Sequence, residues 1–160
     1  MKNANYFIKN LDMNKHPEGG YYKECFNSLQ NVNINSKDKK LWTSIYFLLE
    51  ENEVSNFHKL ESDEMWYYHS GSPLTIYMIN EEGNLITKKL GLDIENNESP
   101  QVLVKKGFIF GSSMNEVGYS LVGCMVSPGF TFDEFKLYKR DELLNLYPQH
   151  KDIITKLTRD

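Results

Sequence analysis

The chain has 160 residues, 25% of them charged, and a formal net charge of −4. That length suits one domain with a full hydrophobic core and no need of covalent staples. The 18 basic residues are scattered along it, which argues against nucleic acid as a partner, because neutralising phosphates takes a concentrated basic face. The opening MKNANYFIKN lacks the apolar run of a signal peptide, and no stretch approaches the ~18 apolar residues of a membrane span. With Cys25 and Cys124 far apart and no cysteine framework, the expected compartment is the reducing cytoplasm. Two Trp, ten Tyr and nine Phe favour a β-rich protein, since flat side chains pack well on pleated surfaces.

In chain order, Tyr6, Phe7, Asn10 and Leu11 have helical spacing, which His16-Pro17 ends. Gly19-Gly20 releases an extended run from Tyr21 to Phe26, and the polar tract 27–40 reads as a loop. Strands are then expected over 41–49, 64–69, 74–79, 85–90, 101–104, 119–126 and 130–137, separated by turns such as Ser70-Gly71-Ser72-Pro73 and Asn80-Glu81-Glu82-Gly83-Asn84. A spacing of roughly ten residues per strand is that of an antiparallel sandwich or barrel. The period changes at the end: Asp141 is placed to cap a helix carrying Leu143, Leu144 and Tyr147, and Ile153, Ile154 and Leu157 mark another. The organisation expected is one domain over 1–160. It comprises an N-terminal helix and arm (1–18), a β-barrel (19–137) and a C-terminal helical segment (138–160).

Strands 41–49 and 74–79 are apolar on both faces, whereas a sheet with one wet face alternates. Two short helices look too few to cover the second faces, so a homodimer is expected.

The segment Phe57-His58-Lys59-Leu60-Glu61-Ser62-Asp63-Glu64, running on to Gly71, resembles the first cupin motif, a His-x-His pair followed by Glu and then Gly. His58, Glu64 and Gly71 match, and Leu60 stands at the second His. The second cupin motif is most similar to Lys105-Lys106-Gly107-Phe108-Ile109-Phe110, with Phe110 at the third His. His16-Pro17-Glu18-Gly19-Gly20-Tyr21-Tyr22, Ser44 to Leu49, Ser62 to Trp66, Leu121 to Cys124 and Pro128 to Phe132 extend the likeness along nearly the whole chain. Together they resemble the fifth cupin family, a domain of unknown function. The resemblance implies an all-β double-stranded β-helix (a jelly roll) with short terminal helices, usually a homodimer, with a pocket inside the barrel. It implies no reaction.

Cupin metal sites present three His and one Glu, or a facial triad. Here Leu60 and Phe110 replace two of the imidazoles, so no metal and no cofactor is expected; His16, Glu18 and Glu24 are conceivable but unplaced ligands. The alternative use of His58 and Glu64 is acid–base. A carboxylate beside an imidazole makes a dyad able to move protons, and some sugar-nucleotide epimerases of cupin fold use a His–carboxylate pair without metal. A third reading leaves the two residues hydrogen-bonded to each other in a barrel that binds without catalysis.

By two-residue alternation Trp66 and Tyr68 share the side of Glu64, and both are expected to line a pocket suited to a flat ring or a sugar face. Phe110 would add an apolar wall. His16 or Glu18 is expected to overhang the barrel mouth, while His69 is expected to be solvated or at a subunit contact and His150 at the surface. Cys124 reads as a small buried hydrophobe. The functions in view are an isomerase- or epimerase-like site for a small polar or ring-bearing metabolite, a metal-dependent enzyme with a non-standard ligand set, and a non-catalytic sensor.

Overall fold

Two six-stranded sheets face each other across a shared core in the computed structural model, which describes residues 2–160. The first sheet runs in the order β1 (Asn14–Lys15), β2 (Tyr21–Asn27), β5 (Thr43–Glu50), β13 (Tyr119–Ser127), β7 (Asp63–Gly71), β11 (Gln101–Val104). The second runs β10 (Glu98–Ser99), β9 (Leu85–Leu90), β8 (Leu74–Ile79), β12 (Ile109–Met114), β6 (Val54–Lys59), β14 (Lys136–Leu137). Both are antiparallel but for the short β9–β10 pair, and they do not close into one hydrogen-bonded barrel. The architecture is an all-β jelly roll.

The core between the sheets takes Phe47, Trp66, Val122 and Cys124 from the first and Leu74, Ile76, Met78 and Phe110 from the second. Helix α1 (Ala4–Asn10), capped by Asn3, lays Ala4, Phe7 and Ile8 on Leu48 and Leu121. Helices α2 (Arg140–Leu146) and α3 (Lys151–Lys156) bring Leu143 and Ile154 onto Phe57, Ile79 and Ile109. The two-faced strands are therefore covered in good part by the chain's own helices, which corrects the expectation that short helices are too few to cover them. What stays half-buried on the outside of the first sheet is a strip formed by Tyr46, Met65, Tyr67 and Met125, with Leu103 43% exposed at its edge. His69 lies over Gly123, where an added Cβ would come within 2.5 Å of its Nε2.

Four other expectations change. Tract 27–40 holds a hairpin, β3 (Asn31–Ile34) and β4 (Lys37–Lys40), turning at Asn35 (φ 51°) and Ser36 (φ 64°); these polar residues tolerate the left-handed pair that a type I′ turn requires. Segment 130–137 is no strand: it makes a 3₁₀ turn over Phe132–Glu134 before the two residues of β14. Asp133 and Glu134 are pulled toward Lys37 and buried Lys39, while Phe130, Phe132 and Phe135 pack on one another. Helix α2 starts after Lys139, so Asp141 sits in its first turn and not at the cap. His150 is half-buried, its Nε2 2.8 Å from the Gly83 carbonyl, and it ties the C-terminal segment to the β8–β9 turn.

Candidate functional site

The arm between β1 and β2 builds one wall of the site. Gly19 (φ +117°) and Gly20 (φ +70°) take left-handed backbone that other residues resist, and a Cβ on Gly19 would lie 2.0 Å from the Val54 carbonyl oxygen. This close approach presses the arm onto β6, where the Asn56 backbone N–H and side-chain amide both donate to the Glu18 carbonyl, at 2.7 and 2.6 Å. Glu18, 5% exposed, is thereby turned inward. Its Oε1 accepts from Ser55 Oγ at 2.9 Å, and its Oε2 stands 3.1 Å from His58 Nε2 and 3.5 Å from His16 Nδ1.

The hydrogen bonds fix the tautomers. His58 Nδ1 is 2.7 Å from the Asn56 carbonyl, which can only accept, so Nδ1 carries the proton. In the neutral ring Nε2 is then an acceptor, and its partner Glu18 must bring the proton. His16 Nδ1 accepts the Glu18 backbone N–H at 3.2 Å, which leaves its proton on Nε2. Electrostatics point the same way. Burial, with Glu64 nearby, raises the Glu18 carboxyl well above the ordinary carboxylate value. Burial also lowers His58 to about 3 and His16 to about 4.

Glu64 enters from β7 and is buried by the same packing that buries Trp66 two residues on. Among the described residues its Oε2 has no hydrogen-bond partner, and neither has Trp66 Nε1. Burial pushes the Glu64 carboxyl up to about 7, against the opposing pull of the nearby Trp66 indole and Cys124 thiol. The Cys124 thiol is itself pushed well above its usual range by burial and by these carboxyls, which suits a spectator and not a nucleophile.

His16, Glu18, His58, Glu64 and Trp66 all line one cavity. Tyr22, Phe47, Phe130 and Phe135 add aromatic walls, and the exposed Glu24 stands among the lining residues. The space measures about 510 Å³ with its mouth included, but it is narrow, with room for a few water molecules. Two expected members lie elsewhere. Phe110 packs behind the His58 ring, centroids 4.1 Å apart, and forms no part of the wall. Tyr68 donates its hydroxyl to the Gly71 carbonyl at 2.5 Å, outside the cavity lining. The expected His58–Glu64 dyad is also corrected: the partner of His58 is Glu18, because the arm reaches Nε2 first.

A cupin-type ion lacks two of its usual ligands here, while the arm sets His16 and Glu18, the ligands left unplaced by the sequence, beside His58. Leu60 and Phe110 offer no lone pair where two imidazoles would stand, and His58 Nε2 is already engaged by Glu18.

Residues 5–138 match the family described as Cupin superfamily (DUF985). Among solved structures, the chain is similar to protein SO0799 of Shewanella oneidensis, at 55% identity and TM-score 0.94 over 99% of both chains. A hypothetical protein from Leishmania major is 36% identical with TM-score 0.93, covering 99% of this chain and all of its own. The uncharacterized protein YML079W of Saccharomyces cerevisiae is 26% identical over 90% of this chain and 80% of its own length. With the jelly roll, the His58–Glu64–Gly71 motif and these matches in place, the chain belongs to the cupin superfamily, in its DUF985 family.

Proposed function

We propose that the cavity binds a small molecule and transfers a proton to or from it without a metal. The observation that carries this reading is Glu64, a buried carboxyl with an unpartnered oxygen, lining the same cavity as the hydrogen-bonded Glu18–His58 pair. A group poised near neutral pH is the most effective general acid or base, and burial supplies that poise to Glu64. Glu18 and His58 form the second station. The proton between them rests on Glu18, where burial holds it, and the neutral His58 Nε2 is the acceptor beside it, so the pair offers one group that can give a proton to a bound molecule and one that can take one from it. Two titrating stations on one bound molecule suit isomerisation or epimerisation, in which one C–H proton leaves and another returns.

The test is solvent exchange. The protein is incubated in D₂O with a small-metabolite extract, and mass spectrometry follows each compound. The reading expects at least one compound to gain one deuterium per turnover, and Glu64→Gln to abolish the gain while circular dichroism and melting show a folded chain. A compound that binds the cavity and never gains deuterium would make the protein a binder and overturn the proton-transfer reading.

A further inference from the structure

The ionisable groups of the cavity wall are carboxyls and imidazoles. Three carboxyl side chains, Glu18, Glu24 and Glu64, line it, and neither Lys nor Arg does. Its two imidazoles are held in their neutral forms by burial, so no protein cation is available to greet an anion. An entering carboxylate or phosphate would leave water for a site offering only repulsion or neutral dipoles. A cation meets the reverse: an unpartnered carboxyl oxygen at Glu64 and a wall that includes the aromatic rings of Tyr22, Phe47 and Trp66. Trp66 Nε1 adds a second requirement. It is a buried donor near enough to Glu64 to pull on that carboxyl yet making no hydrogen bond among the described residues, and a ligand oxygen would satisfy it.

Building on the reading of the cavity as a ligand site, we propose that the ligand is a compact organic ammonium with an acceptor oxygen close to its nitrogen, as in a small amino alcohol or amino carbonyl compound. The ammonium sits against Glu64 and the oxygen takes the Trp66 indole N–H. The narrowness of the cavity sets the size, because only a handful of heavy atoms fit without moving Phe130 and Phe135. Glu64 gives up its proton as the ammonium arrives, so the ion pair forms inside the cavity and the proton leaves to solvent. The titratable groups that share the cavity with Glu64 are His16 and Glu18 from the arm, Tyr22 and Glu24 on β2, His58 on β6 and Cys124 on β13.

Three probes share a three-carbon 2-hydroxy skeleton and differ at the terminal group, an ammonium, a hydroxyl or a carboxylate: 1-amino-2-propanol, 1,2-propanediol and lactate. Each is titrated into ¹⁵N-labelled protein at neutral pH, with the Trp66 indole N–H as the readout and Trp42 as the internal control. The amine is expected to bind about tenfold or more tighter than the diol, the scale of a charge-assisted hydrogen bond out of water, and lactate is expected not to bind. Glu64→Gln should weaken the amine by a similar factor and leave the diol unchanged. Equal or tighter binding of the diol or lactate at the Trp66 indole would overturn the cation assignment while leaving the cavity a ligand site. Silence of that indole toward all three would overturn the assignment together with the cavity reading beneath it.

Discussion

Glu18 Oε2 and His58 Nε2 stand 3.1 Å apart, both side chains almost wholly withdrawn from solvent, and one proton serves the two. The geometry follows from the backbone. Asn56 clamps the Glu18 carbonyl from one side of β6, and its own carbonyl orients the His58 ring through Nδ1. The pair is thus positioned by main-chain contacts that a ligand need not disturb.

The His58 ring is expected to stay neutral, with Nδ1 protonated, across the whole range from pH 5 to 8, since its pKa is lowered to about 3. Long-range ¹H–¹⁵N spectra distinguish the two ring nitrogens directly. A ring that titrates near 6.5, or one that is protonated on Nε2 alone, would contradict the assignment.

Stability against pH follows from the same shifts. His16 and His58 are depressed in the folded state, so their contribution is present above about 6.5 and is lost as pH falls toward 4 and then 3. Glu64 is raised, so its contribution is fully present below about 4.5 and is lost as pH rises through about 7. Glu64→Gln removes the second effect. Relative to the parent, its stability should gain roughly 1.4 kcal/mol per pH unit between about 4.5 and 7 and then level off. Urea unfolding at several pH values measures the difference, and a constant gap would contradict it.

Gly19→Ala tests how the arm is seated. The substitution meets left-handed backbone and the Val54 carbonyl at 2.0 Å together, and it should cost on the order of 2–4 kcal/mol. Because Glu18 rides on that arm, His58 should begin to titrate closer to its ordinary value. Ala at Gly107, where φ is also positive but the nearest atom is the far end of the Glu81 side chain, should cost less and leave His58 unmoved.

We propose that the strip of Tyr46, Met65, Tyr67 and Met125 on the first sheet joins two copies of the chain. Light scattering is expected to give twice the chain mass of 18.7 kDa, and Tyr67→Asp is expected to return it to the single mass. A parent protein that stays at the single mass at high loading would contradict the pairing.

Much of the fold could be read from the sequence, because β5, β7, β8, β11 and β13 carry apolar character and β9 is bounded by legible turns. Strands β6 and β12 could not. Ser55, Asn56 and His58, and Gly111, Ser112 and Ser113, are polar or small residues buried by their position between neighbouring strands, which periodicity does not register. At the site, His58 and Glu64 were legible through the resemblance to the first cupin motif, and Trp66 through alternation from Glu64. The pairing of Glu18 with His58 was not, because it depends on where an arm some forty residues upstream crosses β6. Gly19-Gly20 was the available signal, and it marked a close approach without naming the residue that the approach would deliver. Phe130 and Phe135 were hidden for a related reason: they reach the cavity from an irregular turn held by Lys39 and Glu134, and alternation had placed them on a strand.

The most direct test of the account is the protonation of Glu64 itself. Glutamate labelled with ¹³C at the side-chain carboxyl, with Glu64→Gln as the assignment control, gives the titration curve of this one group by NMR. The account predicts a carboxyl that is about half protonated near pH 7 and that loses its proton when 1-amino-2-propanol binds. A Glu64 carboxyl that titrates near 4.5, like an exposed glutamate, would contradict the poised acid–base group on which the proposed chemistry rests.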